Sequence, residues 1–288
     1  MIVIRSGATS VSVARQGAEI MTWEVGGRPL LWEPRLDVWP ETAPLLFPVV
    51  GWTRNGEVRV EGKTYPLALH GFARQREFRL VTQHADRARF TLASDAATRR
   101  LYPFDFTFTV EYAVEEGAVS TVLMVANTGD RPMPYACGLH PGFRWPFAGG
   151  AATDYRLHFA APENPVVPRI APGGLIARAT RRLPLEGAVL PLAPSLFDND
   201  ALCFLNAASP GLRFEAPGGA AITVEGEDFA HWGVWCRPGN GYLCIEQWTG
   251  FSDPEDFAGD LFGKPSMRVL PPGATGRHAA RYRYTAAS

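Results

Sequence analysis

Three short segments set chemistry-bearing side chains in apolar surroundings. Leu69-His70-Gly71-Phe72-Ala73-Arg74 holds a histidine with an arginine four residues on. Gly138-Leu139-His140-Pro141-Gly142-Phe143 carries a second histidine, and the proline after it favours an extended backbone and removes a donor. Leu243-Cys244-Ile245-Glu246-Gln247-Trp248 puts one carboxyl group inside a β-rich, aromatic run, where burial is expected. A desolvated carboxyl has a raised pKa and works as a general base near neutrality. A histidine titrates in the same range and can act as the partner acid. An arginine fork donates to hydroxyl groups, and aromatic faces suit the C–H faces of a sugar ring. One base, one acid and a polyol-binding cleft point to proton transfer on a carbohydrate.

Each segment has a plainer reading. A single histidine in an apolar run is commonly a satisfied core or surface residue. Glu246 can be half of a structural ion pair with Arg74 or Lys264. Trp232, Trp235 and Trp248 read by default as core, and spacing alone does not bring the three segments together. Other chemistries lack their patterns. None of the six histidines stands at the i, i+4 spacing of a zinc helix, so no metal is expected. No G-x-S-x-G elbow and no P-loop occurs. Gly239-Asn240-Gly241 lacks the third glycine of a dinucleotide site, and no cofactor is expected.

The elements that must position these residues are strands. In Phe104 to Val114 every even position is apolar or aromatic, while Asp105, Thr107, Thr109 and Glu111 fill four of the odd ones. That is period two with one wet face. Val119 to Ala126 is a second β-rich run, closed by the turn chemistry of Asn127-Thr128-Gly129-Asp130. Met1 to Ile4, Ser10 to Ala14, Phe78 to Thr82, Arg89 to Ala93, Ala221 to Glu225 and Leu243 to Gln247 read as further short strands. Turns are signalled at Gly26-Gly27, Glu61-Gly62, Pro217-Gly218 and Pro238-Gly239. With 25 prolines and 29 glycines, few windows could hold an amphipathic helix. The pattern predicts an all-β sandwich or barrel without repeats. Pro162 to Pro194 reads as a long, loop-like, packed excursion within one domain spanning residues 1–288.

Composition sets the wider limits. The chain has 288 residues, 46% hydrophobic and 20% charged, which are ordinary globular values. Its formal net charge is -1, which argues against a nucleic-acid partner and a polybasic membrane anchor. No stretch approaches the roughly 18 apolar residues of a membrane span. Arg5 interrupts the first apolar run, so no secretory leader is expected. Cys137, Cys203, Cys236 and Cys244 form no C-x-x-C pair and read as buried free thiols in a reducing compartment, which predicts a cytoplasmic location.

Taken together, the motifs resemble those of the aldose 1-epimerase (galactose mutarotase-like) family. Leu46-Phe47-Pro48-Val49-Val50-Gly51 is similar to an early Phe-Pro-x-x-Gly segment, and Tyr65 to Arg74 to the first histidine motif. Asn127-Thr128-Gly129, Met133-Pro134-Tyr135 and Gly138-x-His140-Pro141-x-Phe143 resemble the second. Gly233-Val234-Trp235, the Pro238-Gly239 turn and Cys244-Ile245-Glu246-x-Trp248-x-Gly250 resemble the catalytic glutamate strand. Lys264 and Leu270-x-Pro272-Gly273 resemble the closing segment.

The resemblance implies a single large antiparallel β-sandwich, the galactose mutarotase-like supersandwich, with sugar bound across one face. It implies an isomerase that interconverts the α and β anomers of an aldose with no cofactor. The partner is a small-molecule sugar, and the protein is expected as a monomer or homodimer. By motif, Glu246 is the base at the C1 hydroxyl, His140 the acid at the ring oxygen and His70 its assistant. Arg74 binds hydroxyls, Trp235 and Phe143 wall the cleft, and Asp200, with Asp198 competing, supplies a further acidic contact. Two positions depart from the family pattern: Gln247 stands where a proline often follows the glutamate, and Ala274 where a glutamate commonly follows Pro-Gly. On a strand, Gln247 points to the face opposite Glu246. Two other readings share the motifs. A hexose-6-phosphate mutarotase needs extra cations, for which Arg54, Arg76 and Arg144 are candidates. A non-catalytic carbohydrate-binding module would bind sugar without turnover.

Overall fold

Alternation carries directly into pairing in the computed structural model, which describes residues 1–287. Phe106–Glu115 buries Phe106, Phe108, Val110, Tyr112 and Val114 while Thr107, Thr109 and Glu111 stay at the wetter face. It pairs antiparallel with Ala118–Asn127 through the register Phe106↔Asn127 to Glu115↔Ala118. These strands lie within a nine-stranded sheet whose order is Val189–Pro191, Arg156–Phe159, Gly211–Glu215, Ala221–Glu227, Thr275–Thr285, Ala118–Asn127, Phe106–Glu115, Arg87–Ala93 and Arg79–Gln83.

A second sheet, of six strands, runs Leu202–Phe204, His231–Trp235, Tyr242–Trp248, Gly138–Leu139 and Leu45–Leu46, with Gly142–Arg144 also on Tyr242–Trp248. A four-stranded meander, Ile2–Ser6, Thr9–Val13, Ile20–Val25 and Arg28–Pro29, completes the larger sheets. All pairings within these sheets are antiparallel. The fold is therefore the expected antiparallel β-sandwich. One continuous apolar core joins the sheets, from Ile4 and Trp23 through Phe108 and Leu123 to Ile245 and Tyr282.

Helix is confined to single turns. The one α-helix among the described residues, Ala96–Arg99, is held by Asp95, whose side chain accepts from the Thr98 N–H while the Thr98 hydroxyl accepts from the Asp95 N–H.

The excursion after Pro162 differs from its expected loop character. Val166–Ala171 and Leu175–Arg182 form a β-hairpin around Gly173-Gly174. Its prolines do not prevent pairing, because the register shifts between Pro168 and Ile170, and a two-stranded ribbon leaves an open edge for a residue with no N–H.

Candidate active site

The middle strand of the six-stranded sheet carries the carboxyl group. Tyr242–Trp248 is buried along its whole length. Period two sends Cys244, Glu246 and Trp248 to one face and Leu243, Ile245 and Gln247 to the other. The neighbouring segment pairs as Gly138↔Trp248 and Leu139↔Gln247, then as Gly142↔Cys244. This register sets His140 directly across from Glu246. His140 Nε2 lies 3.2 Å from Glu246 Oε2. The Trp248 indole N–H donates to the same oxygen at 3.0 Å.

His70 reaches the pair from a loop held in an unusual backbone conformation. Its φ is +61°, uncommon for a side chain of this size, and Gly71 follows at +73°. A Cβ on Gly71 would stand 2.3 Å from the Phe47 carbonyl oxygen, so the chain can turn here only through glycine. The Gly51 N–H donates to His70 Nδ1 at 3.0 Å. In the neutral ring the proton then resides on Nε2, leaving that N–H as the free donor. The His70 and His140 rings meet edge to face with centroids 5.4 Å apart.

Arg74 sits in the single turn Ala73–Gln75 that follows. Its Nη1 donates to both carboxylate oxygens of Glu41, at 3.0 and 2.8 Å, and its Nη2 to the Leu69 carbonyl. Trp39 packs against the His140 ring at 5.2 Å, and Trp235 meets that ring edge-on at 5.9 Å. Asp200 has φ +71° and reaches the cleft from a turn whose carbonyls accept from Arg181.

These side chains line one cleft of about 300 Å³, at the lower end of small-molecule sites. It brings together Glu246, His140, His70, Arg74, Asp200 and Trp235. Phe143 is not among them and is corrected: it is fully buried on the opposite face of its strand, against Trp23 and Tyr282. Period two explains this, since Phe143 pairs with Leu243 and shares its odd parity rather than that of Glu246. Asp198 ends the turn Pro194–Phe197 and lies outside the cleft lining. Sequence reasoning missed Trp39, Glu41, Trp52 and Cys203, which also line it.

Neither suggested ion pair of Glu246 forms. Arg74 is taken by Glu41, and Lys264 Nζ lies 2.8 Å from Asp253 Oδ1. The three arginines considered for a phosphate also face elsewhere. Arg54 donates to the Glu255 carbonyl, Arg76 lies over the Phe72 ring, and Arg144 donates to the Leu31 carbonyl. Among the described residues, no group of His, Cys, Asp and Glu is arranged to hold a metal ion. Among the described residues, no helix is long and apolar enough to cross a membrane.

Burial sets the protonation of the site. Glu246 is 2% exposed, and desolvation drives its pKa well above the ordinary 4.5, opposed by the Trp248 N–H and reinforced by Asp200. Desolvation likewise pulls His140 down to about 3, only partly offset by its own main-chain carbonyl, with Arg74 lowering it further. His70 is pushed well below 6.5 by burial first, then by His140 and Arg74. Between those two shifted values Glu246 and His140 hold one exchangeable proton between them. Both placements, carboxyl with imidazole or carboxylate with imidazolium, carry zero total charge, so the pair holds no uncompensated buried ion while it keeps that one proton.

Residues 1–180 match the family model described as aldose 1-epimerase. Protein LacX of Lactococcus lactis subsp. lactis is 30% identical over 258 residues, covering 85% of this chain and 86% of the relative. A galactose mutarotase related enzyme from Lactobacillus acidophilus superposes with a TM-score of 0.88 at 27% identity, covering 100% of this chain and 98% of that one. A galactose mutarotase-like protein from Lactobacillus casei gives 0.92 at 26%, covering 99% and 100%. The chain belongs to the aldose 1-epimerase family.

Proposed function

We propose that this protein is an isomerase that interconverts the α and β anomers of an aldose by opening and reclosing its ring. The observation that carries this reading is the 3.2 Å approach of His140 Nε2 to Glu246 Oε2 in a cleft that also holds His70, Arg74 and Asp200.

Mutarotation needs a proton taken from the C1 hydroxyl and a proton given to the ring oxygen in the same step. Starting from carboxylate and imidazolium, Glu246 accepts the hydroxyl proton while His140 donates to the ring oxygen as the C1–O5 bond breaks. The pair is left as carboxyl and neutral imidazole, its other neutral arrangement. The open-chain aldehyde turns about C1–C2. Reclosure on the other face runs both transfers backwards and restores the starting pair, with no proton exchanged with solvent. The His70 Nε2–H donates to sugar oxygens near C1 and keeps its direction because Gly51 holds the other ring nitrogen. Arg74, oriented by Glu41, holds sugar hydroxyls; Asp200 accepts from others, and Trp235 and Trp39 form the wall. The four free, buried thiols support residence in a reducing compartment, which we take to be the cytoplasm.

Polarimetry tests the reading. Purified protein is expected to accelerate the optical-rotation change of freshly dissolved α-glucose or α-galactose, and Glu246→Gln to abolish it. No acceleration of any common aldose over buffer overturns the proposal.

A further inference from the structure

Trp52 stands apart from the other tryptophans of the cleft. It is 42% exposed, whereas Trp39 and Trp248 are each only 6% exposed. Its main chain is fixed on both sides: the Trp52 N–H donates to Ser252 Oγ at 2.9 Å, and its carbonyl accepts from the Asp253 N–H at 2.8 Å. The turn of the Val166–Ala171 and Leu175–Arg182 hairpin lies against the indole at Gly174. A Cβ there would come within 1.9 Å of Trp52 Cδ1, so only glycine allows this approach. Ile170 and Ile176, a cross-strand pair of that hairpin, continue the same wall. The indole N–H makes no hydrogen bond with the described residues. A rigid, solvent-facing aromatic surface with a free donor at its edge suits a pyranose, which offers C–H groups on its face and hydroxyls at its rim.

One lining runs from the Glu246 and His140 pair to Trp52. The wall around Trp52, formed by Val50, Gly174, Ile170, Ile176 and Ser252, carries no charged side chain, which favours an uncharged ring over a phosphate.

We propose that Trp52 is the platform of a second sugar subsite, so that the substrate is the reducing end of a neutral disaccharide or longer glycan. The reducing ring lies over Glu246, His140 and His70, and the next ring rests on Trp52. This rests on the anomer-exchange reading above and specifies its substrate class.

The test compares glucose with maltose, cellobiose and lactose, all of which present a reducing glucose. Wild-type protein is expected to show a lower KM for at least one disaccharide than for glucose. Trp52→Ala is expected to raise that disaccharide's KM relative to that of glucose by roughly tenfold, with kcat for the disaccharide changed less than about twofold, and Trp52→Phe to recover most of the loss. A disaccharide KM never below that of glucose, or a Trp52→Ala effect equal for glucose and disaccharide, overturns the subsite. Calorimetric titration of Glu246→Gln with the same sugars reads the subsite without turnover. Binding of every disaccharide no tighter than glucose there also overturns it. Loss of all catalysis in the wild type with tighter disaccharide binding retained would instead strike the anomer-exchange reading and leave the subsite standing.

Discussion

His140 and Glu246 face each other across neighbouring strands, with Nε2 and Oε2 3.2 Å apart, and neither has a competing salt-bridge partner among the described residues. The contact follows from sheet register rather than from a flexible loop, so the imidazole and the carboxyl are held at a fixed separation.

Glu246→Gln keeps the shape of the side chain and removes the proton acceptor. kcat/KM is expected to fall by at least about 10²–10⁴-fold. The melting temperature is expected to stay level or rise, because a neutral amide replaces a group whose ionised form is disfavoured by burial. Polarimetry and a circular-dichroism melt on the same sample check both halves, and activity within tenfold of wild type would contradict the assignment.

The pH profile follows from the shared proton. His140 takes up a second proton only near pH 3, and the Glu246 carboxyl gives up the shared one only well above 4.5. kcat/KM is therefore expected to be flat through mildly acidic pH and to decline on the alkaline side as the pair becomes fully deprotonated. Limbs at the ordinary values of 4.5 and 6.5 would show that the two groups titrate independently.

A histidine outside the cleft should contribute to the loss of stability in acid. His231 is 1% exposed, accepts from the Asn206 N–H through Nδ1 and meets the Ser266 hydroxyl through Nε2. Burial lowers it from 6.5 to about 4. The folded state thus binds fewer protons than the unfolded chain between those values. Its contribution is whole above about pH 6.5 and is lost as pH falls toward 4, by roughly 3 kcal/mol. His231→Gln should flatten the stability–pH curve in that window when unfolding is followed in urea. An unchanged slope would assign the acid lability to other groups.

Gly71→Ala introduces a methyl 2.3 Å from the Phe47 carbonyl oxygen at a φ of +73°. A loss of roughly 2 kcal/mol in stability is expected, together with a fall in kcat as His70 is displaced from the pair. Denaturant midpoints and steady-state kinetics measure the two effects, and a neutral substitution would mean that the loop can relax freely.

What could be read in the sequence tracks what periodicity controls. The alternation of Phe106–Glu115 announced both the strand and its buried face. Glu246, His140 and His70 stood out because polar groups in apolar runs are conspicuous. Phe143 was misplaced by proximity to His140, although counting parity along the strand separates the two. Trp39, Glu41 and Trp52 lie in connecting segments, where no repeat fixes the direction of a side chain, and Glu41 is tied to the site only through its long-range pair with Arg74. The hairpin around Gly173-Gly174 was hidden because its prolines and glycines read as loop signals even though the strands pair around them.

Gln247 lies behind the carboxyl-bearing face, fully buried, where a Cβ on Gly226 would touch its amide nitrogen. A slip of the strand by one position would exchange the two side chains, sinking the acid between the sheets and presenting an inert amide to the cleft. If Glu246 acts as proposed, turnover is a sensitive gauge of correct alignment: molecules misassembled by a single residue would retain strand content and compactness yet be chemically silent.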